Sequence, residues 1–357
     1  MAGSPGSGAS ARSTPRHEGA GGAWRWAIPW LLAASASLTF AAVAWLAQAT
    51  TVIPGFLANE LSRQRETNGV FLYDGGYVDD ADYVLLGQLQ SDDYSRGGVY
   101  FIGDSELNVA IRAWELPPAE RELIHNYSIG ALRHSDVRSF VRMLVEDFGL
   151  LRAGGERTTI FLGLSYYLAR PPIQGVTLSY YVERHGLYRY DAEGMRPAPM
   201  SWAERELRLQ RESASRFMQV ALRLRRSRVT GADAHNRTPQ SRRLEGDWRA
   251  SMRREVGELE RLIDYLQARG VHVVAIFPPS GSWDDATPYQ PAYQAMVRPL
   301  LQRRHVPLID DSGLLGDEDF ADGNHPNFES QIRLSAWNRR AALAALDAMG
   351  VYPTQTR

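Results

Sequence analysis

The chain of 357 residues contains no cysteine and no lysine. The lack of cysteine excludes disulfides, a cysteine nucleophile, cysteine-ligated zinc and a bacterial lipid anchor on cysteine. All 40 basic residues are therefore arginine, which we interpret as a bias of genome composition. A formal net charge of −1 argues against a general nucleic-acid binder. The sequence also lacks a phosphate loop, a dinucleotide fingerprint and a cluster of metal ligands, so we expect no cofactor.

Charge is missing from one long stretch near the N-terminus, residues 26–49. About 20 apolar residues are enough for a helix to cross a bilayer. Tryptophans lie toward both ends of the stretch, and Arg12, Arg16 and Arg25 precede it, which predicts a cytoplasmic N-terminus by the positive-inside rule. We expect a single-pass signal anchor in the cytoplasmic membrane. A signal peptide cleaved after Ala49 is the alternative, because residues 47–49 fit a small-x-small cleavage site.

The remaining composition divides the chain into regions. Residues 1–25 are rich in small residues and predict a disordered cytoplasmic tail. Residues 50–96 show no strong period and predict a stalk or leading subdomain. Residues 97–350 alternate between apolar strands and amphipathic helices, which is typical of a mostly parallel sheet covered on both faces. One of these helices is expected to begin at Ser135, as its N-cap, and to stop at Gly149.

The stretch "YFIGDSELNVAI", residues 100–111, places Ser105 directly after a predicted buried strand. Open α/β sheets bind their ligands at the carboxyl ends of their strands. A serine hydroxyl is a poor nucleophile until a base removes its proton. Ser105 is therefore a candidate nucleophile, provided that a base lies at the same edge of the sheet.

The best candidate base is His325, in "DFADGNHPNF". The seven other histidines lie in the tail, in loops or beside strand starts. Asp322 precedes His325 by three positions, and residues three apart can lie on the same side of a helical turn. An aspartate there would fix the tautomer of the imidazole and stabilise its protonated form. Ser105, Asp322 and His325 are thus a candidate catalytic triad.

These motifs resemble the sequence blocks of the SGNH (GDSL-type) hydrolase superfamily. "FIGDSE" resembles the first block and "ADGNH" the last, while "NYSIGA" at 126–131 resembles the second and "IFLGLSYY" the strand of the third. The resemblance covers roughly residues 97–349. It implies a three-layer α/β/α flavodoxin-like sandwich with a mostly parallel sheet. It also implies that Gly130 donates its amide to the oxyanion hole.

The sequence departs from the family pattern at several positions. Glu106 stands where a leucine usually follows Gly-Asp-Ser, and the second block is one residue short. The third block lacks its oxyanion-hole asparagine, and Ser165 stands there instead. Ser165, Asn108 or Asn126 would have to supply the missing hydrogen bond. The loss of one oxyanion donor typically costs about 100- to 1000-fold in rate.

An anchor combined with these departures resembles the branch that contains the D-alanine transfer protein of teichoic acid synthesis and alginate O-acetylation proteins. The resemblance implies a membrane-anchored, extracytoplasmic serine acyltransferase or esterase that acts on O-acyl esters of a cell-envelope polysaccharide. The expected partners are the lipid bilayer, the polymer and a multi-pass membrane-bound O-acyltransferase. Two alternatives stay open: a catalytically degenerate scaffold of an envelope-assembly complex, and a plain anchored esterase or lipase.

Overall fold

The computed structural model describes residues 21–49, 92–113, 116–130, 132–172, 188–191, 194–204, 207, 244, 246–320 and 323–352. The chain divides into two compact units, residues 1–43 and 44–357, which are described separately. The predicted tail and most of the predicted stalk lie outside the described residues. Asp322 also lies outside them.

Near the N-terminus, Gly21–Ala49 forms one 29-residue helix, α1, which includes the whole uncharged stretch. Pro29 lies inside this helix. The side chains of residues 28–40 are exposed within their unit. Of the helices in the described part of the chain, none combines the length and the apolar character needed to cross a membrane.

The larger unit is built on a five-stranded parallel sheet, so the α/β prediction is confirmed. Its strands are β1 (Gly98–Ile102), β2 (Ile124–Asn126), β3 (Thr158–Gly163), β6 (His272–Phe277) and β7 (Leu308–Asp310). Their spatial order is β2-β1-β3-β6-β7, which is consistent with a flavodoxin-like arrangement. Two further strands, β4 (Tyr188–Asp191) and β5 (Gly194–Pro197), pair with each other as an antiparallel hairpin.

The helices of this unit are α2 (Ser105–Asn108), α3 (Pro118–Arg121), α4 (His134–Glu146), α5 (Trp248–Gln267), α6 (Ser282–Asp285), α7 (Tyr289–Arg303) and α8 (Phe328–Ala348). Short 3₁₀ turns lie at Tyr94–Arg96, Gly155–Arg157, Tyr166–Ala169 and Asp317–Asp319. The helix predicted near Ser135 is present, but the N-cap prediction was wrong. Arg133 is the N-cap residue, and the Asp136 carboxylate accepts a hydrogen bond from its backbone N–H at 3.1 Å.

The central strands β1 and β3 are buried on both faces, as their near-continuous apolar sequences predicted. Alternate residues of each strand point to opposite faces. Ile102, Ile160 and Phe277 join a core with side chains of α4, α5 and α7. Phe101 and Phe161, whose rings stack at 4.7 Å, join a second core with side chains of α8. The sheet is thereby a rigid platform whose carboxyl edge carries the loops described next.

Candidate functional site

Ser105 lies at the carboxyl end of β1, the strand at which the order of the sheet reverses direction. Asp104 caps the short helix α2 by accepting a hydrogen bond from the Glu106 N–H at 3.1 Å. Gly103 leaves little room at this corner, because a Cβ on it would lie 3.1 Å from the Leu107 side chain and 3.2 Å from the Gly163 Cα. The close approach of the two glycines brings α2 down onto the ends of β1 and β3.

His325 contacts Ser105, which lies 220 positions earlier in the sequence. Its Nε2 lies 2.9 Å from the Ser105 Oγ, and each residue is only 7% exposed. His325 lies in the segment that enters α8, and Asn327 two residues later is the N-cap of that helix. The fold therefore brings together the two residues that the sequence singled out as nucleophile and base.

A third side chain, Asn324, contacts the same ring nitrogen. Its Nδ2 lies 3.1 Å from the His325 Nε2. In the neutral tautomer that carries its proton on Nδ1, Nε2 has one lone pair with which to accept a hydrogen bond. When the Ser105 hydroxyl takes that lone pair, it donates its proton to Nε2. This is the arrangement that a general base needs before proton transfer.

The Gly130 region follows β2 along the edge of β1. The Tyr127 N–H donates to the Phe101 carbonyl at 2.8 Å, and the Ile129 N–H donates to the Gly103 carbonyl at 3.1 Å. Gly130 itself is buried. These bonds carry the segment with Gly130 alongside the turn that precedes Ser105.

The side chains of the three candidates for the missing oxyanion donor all make other hydrogen bonds. The Ser165 hydroxyl donates to the Asp104 carboxylate at 3.1 Å. The Asn108 Nδ2 donates to the Ser128 carbonyl at 3.1 Å. The Asn126 Nδ2 lies within 3.2 Å of three main-chain carbonyls around α2. The two asparagines thus brace the main chain around α2, and a role of Ser165 in the oxyanion hole stays a prediction.

Hydrogen bonds hold the turn after β3 that contains Ser165. The Asp104 carboxylate accepts one from the Ser165 hydroxyl at 3.1 Å. Arg170 donates through Nη1 to the Leu132 carbonyl at 2.8 Å and to the Tyr167 carbonyl at 2.9 Å. Burial lowers the pKa of the Arg170 guanidinium.

A small pocket is lined in part by Glu106 and Asn324, the sequence neighbours of Ser105 and His325, and has room for a group about the size of one water molecule. Its polar lining includes Glu106, Ser165, Tyr166, Asp284, Gln290 and Asn324. The Tyr166 hydroxyl donates to Asp284 at 2.9 Å. Pro278 and Pro279, directly after β6, complete one wall. The site therefore draws on the ends of β1, β3 and β6 and on the loop before α8.

Two polar residues of this region were missed from the sequence. Asn324 stands next to His325, and that adjacency was the available signal. Gln331 lies inside α8 and donates through Nε2 to the Pro326 carbonyl at 2.9 Å, next to His325. Nothing local in the sequence distinguishes Gln331 from an ordinary helix residue.

Within the described residues, no group of three or more potential ligands could hold a metal ion. In comparisons with known proteins, no family model matches the chain and no curated protein matches it. The resemblance to SGNH hydrolases therefore rests on the short blocks quoted above.

Proposed function

We propose that the protein is a membrane-anchored serine acyltransferase or esterase of the SGNH type. The observation that carries the proposal is the 2.9 Å contact between the Ser105 Oγ and the His325 Nε2. In the proposed reaction, His325 removes the hydroxyl proton while Ser105 attacks an ester carbonyl. His325 then returns the proton to the departing alcohol, which leaves an acyl-serine. Water or a second alcohol releases the acyl group by the reverse steps.

The remaining site roles are part of the same proposal. Asp322 would accept the Nδ1–H of His325 and hold the tautomer that leaves Nε2 free to accept. The main-chain N–H groups of Ser105 and Gly130 would stabilise the oxyanion. The order of the sheet strands and the corner position of Ser105 support this assignment.

We infer the substrate class from the anchor together with the sequence blocks. An enzyme tethered outside the cytoplasmic membrane would act on O-acyl esters of a cell-envelope polysaccharide, beside a multi-pass membrane-bound O-acyltransferase. The uncharged stretch 26–49 and the exposed side chains of Trp30 and Leu38 support attachment of α1 to lipid. No cofactor enters this chemistry.

Hydrolysis of an activated acetyl ester by the full-length protein in detergent tests the proposal. We expect nitrophenolate release that Ser105→Ala abolishes. The matched control is Ser95→Ala, because the Ser95 side chain is exposed and hydrogen-bonds the neighbouring Asp93. Release that persists unchanged in Ser105→Ala would contradict the proposal.

The scaffold alternative makes a different prediction in cells. If the protein only holds other proteins together, Ser105→Ala should preserve acylation of the envelope polymer while deletion of the gene abolishes it. If it is the transferase, the Ser105→Ala strain should lose polymer acylation just as the deletion strain does.

A further inference from the structure

The loop of residues 320–326 carries His325. Phe320 and Pro326 form an isolated antiparallel bridge, which brings the two ends of the loop together. Residues 321 and 322 lie outside the described part of the chain. The bridge joins the ends of the loop, and the placement of His325 depends on the contacts made by the residues between them.

Trp283 of α6 contacts this loop in two places. Its Nε1 donates to the Gly323 carbonyl at 2.6 Å. Its ring meets the Phe320 ring edge-on, with the ring centroids 5.4 Å apart and the planes at 80°. Edge-to-face ring pairs and hydrogen bonds of the indole N–H are both stabilising. One side chain therefore contacts the base of the loop and the main chain two residues before His325.

Hydrogen bonds hold α6 in turn. The Ser282 N–H and hydroxyl donate to the Asp317 carboxylate at 2.8 and 2.6 Å, and Asp317 stands just before the loop. Asp284 accepts from the Tyr166 hydroxyl at 2.9 Å, and Tyr166 follows β3. Trp283 therefore projects from a segment that is itself tied to the chain before the loop and to the end of a central strand.

Gly281 makes room for the indole. A Cβ added at Gly281 would overlap three atoms of the Trp283 ring. The backbone of Gly281, at φ −81° and ψ 160°, is in a conformation that alanine also adopts. The conflict is thus with the ring, and a side chain at residue 281 would displace it.

We infer that Trp283 is a positioning residue, which holds the His325 loop so that the His325 Nε2 stays within reach of the Ser105 hydroxyl. This inference rests on the proposed function. Trp283 acts through the Gly323 carbonyl and the base of the loop. Loss of the indole N–H releases that carbonyl and lets the loop shift. A small shift of a general base is costly, because proton transfer requires hydrogen-bond contact.

The test is the rate at which a fluorophosphonate labels Ser105 in the full-length protein, at a temperature where every variant is folded. Trp283→Phe keeps an aromatic ring beside Phe320 and removes the N–H, so we expect labelling to slow about 10-fold or more. The decisive measurement is the same substitution in a His325→Gln background. If Trp283 acts only through His325, labelling there should slow by less than about twofold. A general contribution to the fold around Ser105 would slow labelling equally in both backgrounds.

Gly281→Ala displaces the indole by a second route. It should slow labelling to a similar extent, because the added Cβ takes the place of the ring. In a Trp283→Ala background there is no ring to displace, so Gly281→Ala should have little further effect. Equal slowing by Gly281→Ala with and without the indole would contradict the inference.

Trp337→Phe is the matched control. The Trp337 side chain, in α8, hydrogen-bonds Asp311, so this variant loses an indole hydrogen bond outside the His325 loop and should label at the wild-type rate. If Trp283→Phe slows labelling equally in both backgrounds, or does not slow it at all, the inference is overturned while the proposed function stands. Wild-type protein that acquires no label on Ser105 would overturn both.

Discussion

At the scale of single residues, the candidate site pairs a serine with a histidine. Ser105 and His325 are in hydrogen-bond contact. Ser165 stands where the SGNH pattern that the sequence resembles has an asparagine, and its hydroxyl donates to Asp104. An oxyanion hole that relies on main-chain amides alone is weaker than one with a side-chain donor.

Ser165→Asn tests whether the proposed oxyanion hole lacks a side-chain donor. If the asparagine of the SGNH pattern is the missing donor, the variant should hydrolyse a simple ester up to about 100-fold faster than wild type. The adjoining pocket provides space for the longer side chain. Ser165→Ala is the control, because it removes the contact with Asp104 and adds no donor. Equal rates in wild type and Ser165→Asn would mean that another group already fills this role.

A second prediction at this scale concerns pH and stability. Asp311 follows β7 and is 3% exposed, and its Oδ2 has no hydrogen-bond partner among the described residues. Burial raises the pKa of this carboxyl to about 6 from an ordinary 3.8, although a hydrogen bond from Trp337 opposes the shift. The folded protein therefore binds this proton more tightly than the unfolded chain. The stability that Asp311 contributes is complete below about pH 4 and is lost as pH rises through 6.

Asp311→Asn keeps the shape of the side chain and removes its titration. We expect the variant to be more stable than wild type at pH 8, by at most about 3 kcal/mol, since each pKa unit corresponds to about 1.4 kcal/mol. The advantage should shrink as the pH falls to 4. Urea unfolding at pH 8, 6 and 4.5 measures it, and an advantage that is constant across this range would contradict the assignment.

At the scale of elements, one face of α8 makes hydrogen bonds to the chain segment that follows Ser105 and to the segment that follows His325. The face is polar and fully buried at Gln331 and Asn338. The Arg112 Nη1 donates to the Gln331 Oε1 at 3.1 Å, while the Gln331 Nε2 donates to the Pro326 carbonyl. Farther along the helix, the Asn338 Nδ2 donates to the Ala110 carbonyl at 3.0 Å. The segment after Ser105 and the segment after His325 are therefore held by the same helix.

Gln331→Leu should disturb that link. It removes the donor to Pro326 and the acceptor for Arg112, which should cost about 1–3 kcal/mol of stability. Ester hydrolysis at a temperature where the protein is fully folded should fall about 10-fold or more, because small misplacements of reacting groups are costly. Gln331→Glu retains the acceptor for Arg112 and should lose less stability.

The control for that experiment is a helix cap that has no contact with the site. Asp247 caps α5 through the Ala250 N–H at 3.0 Å. Asp247→Ala should cost about 1 kcal/mol and leave the rate of hydrolysis unchanged. If both variants slowed hydrolysis equally, the link through α8 would have no special part in the site.

Most of the sheet could be predicted because its strands are short apolar runs that end at glycine or a polar residue, as "GVYFIGD" does. The corner at Ser105 was predictable for the same reason, since it closely follows β1. His325 was predictable from the Asp322-x-x-His325 spacing. Gln331 and Asn324 were not, because their importance depends on which chain segments the fold brings against them. The Ser135 cap failed because the helix begins one residue earlier, with Arg133 as its N-cap, and the Ser135 N–H in the first turn donates to the Glu255 carboxylate at 2.9 Å.

At the scale of the whole molecule, the account requires the sheet domain to lie outside the cytoplasm. A reporter that is active only after export, fused after Arg357, should be active in cells. It should lose activity when arginines are moved from before residue 26 to just after residue 49, because the positive-inside rule would then favour the opposite orientation. Activity of a cytoplasmic reporter at the C-terminus would contradict the assigned location. A mature N-terminus at Thr50 would indicate a cleaved signal peptide instead of an anchor.

The central claim is that His325 activates Ser105, and covalent labelling of the folded protein tests it most directly. After exposure to a fluorophosphonate, peptide mapping by mass spectrometry should locate the adduct on Ser105. His325→Gln should slow its formation about 1000-fold or more, and unfolding in urea before exposure should prevent it. Folded wild-type protein that carries no adduct on Ser105, or that labels at the same rate as His325→Gln, would contradict the account.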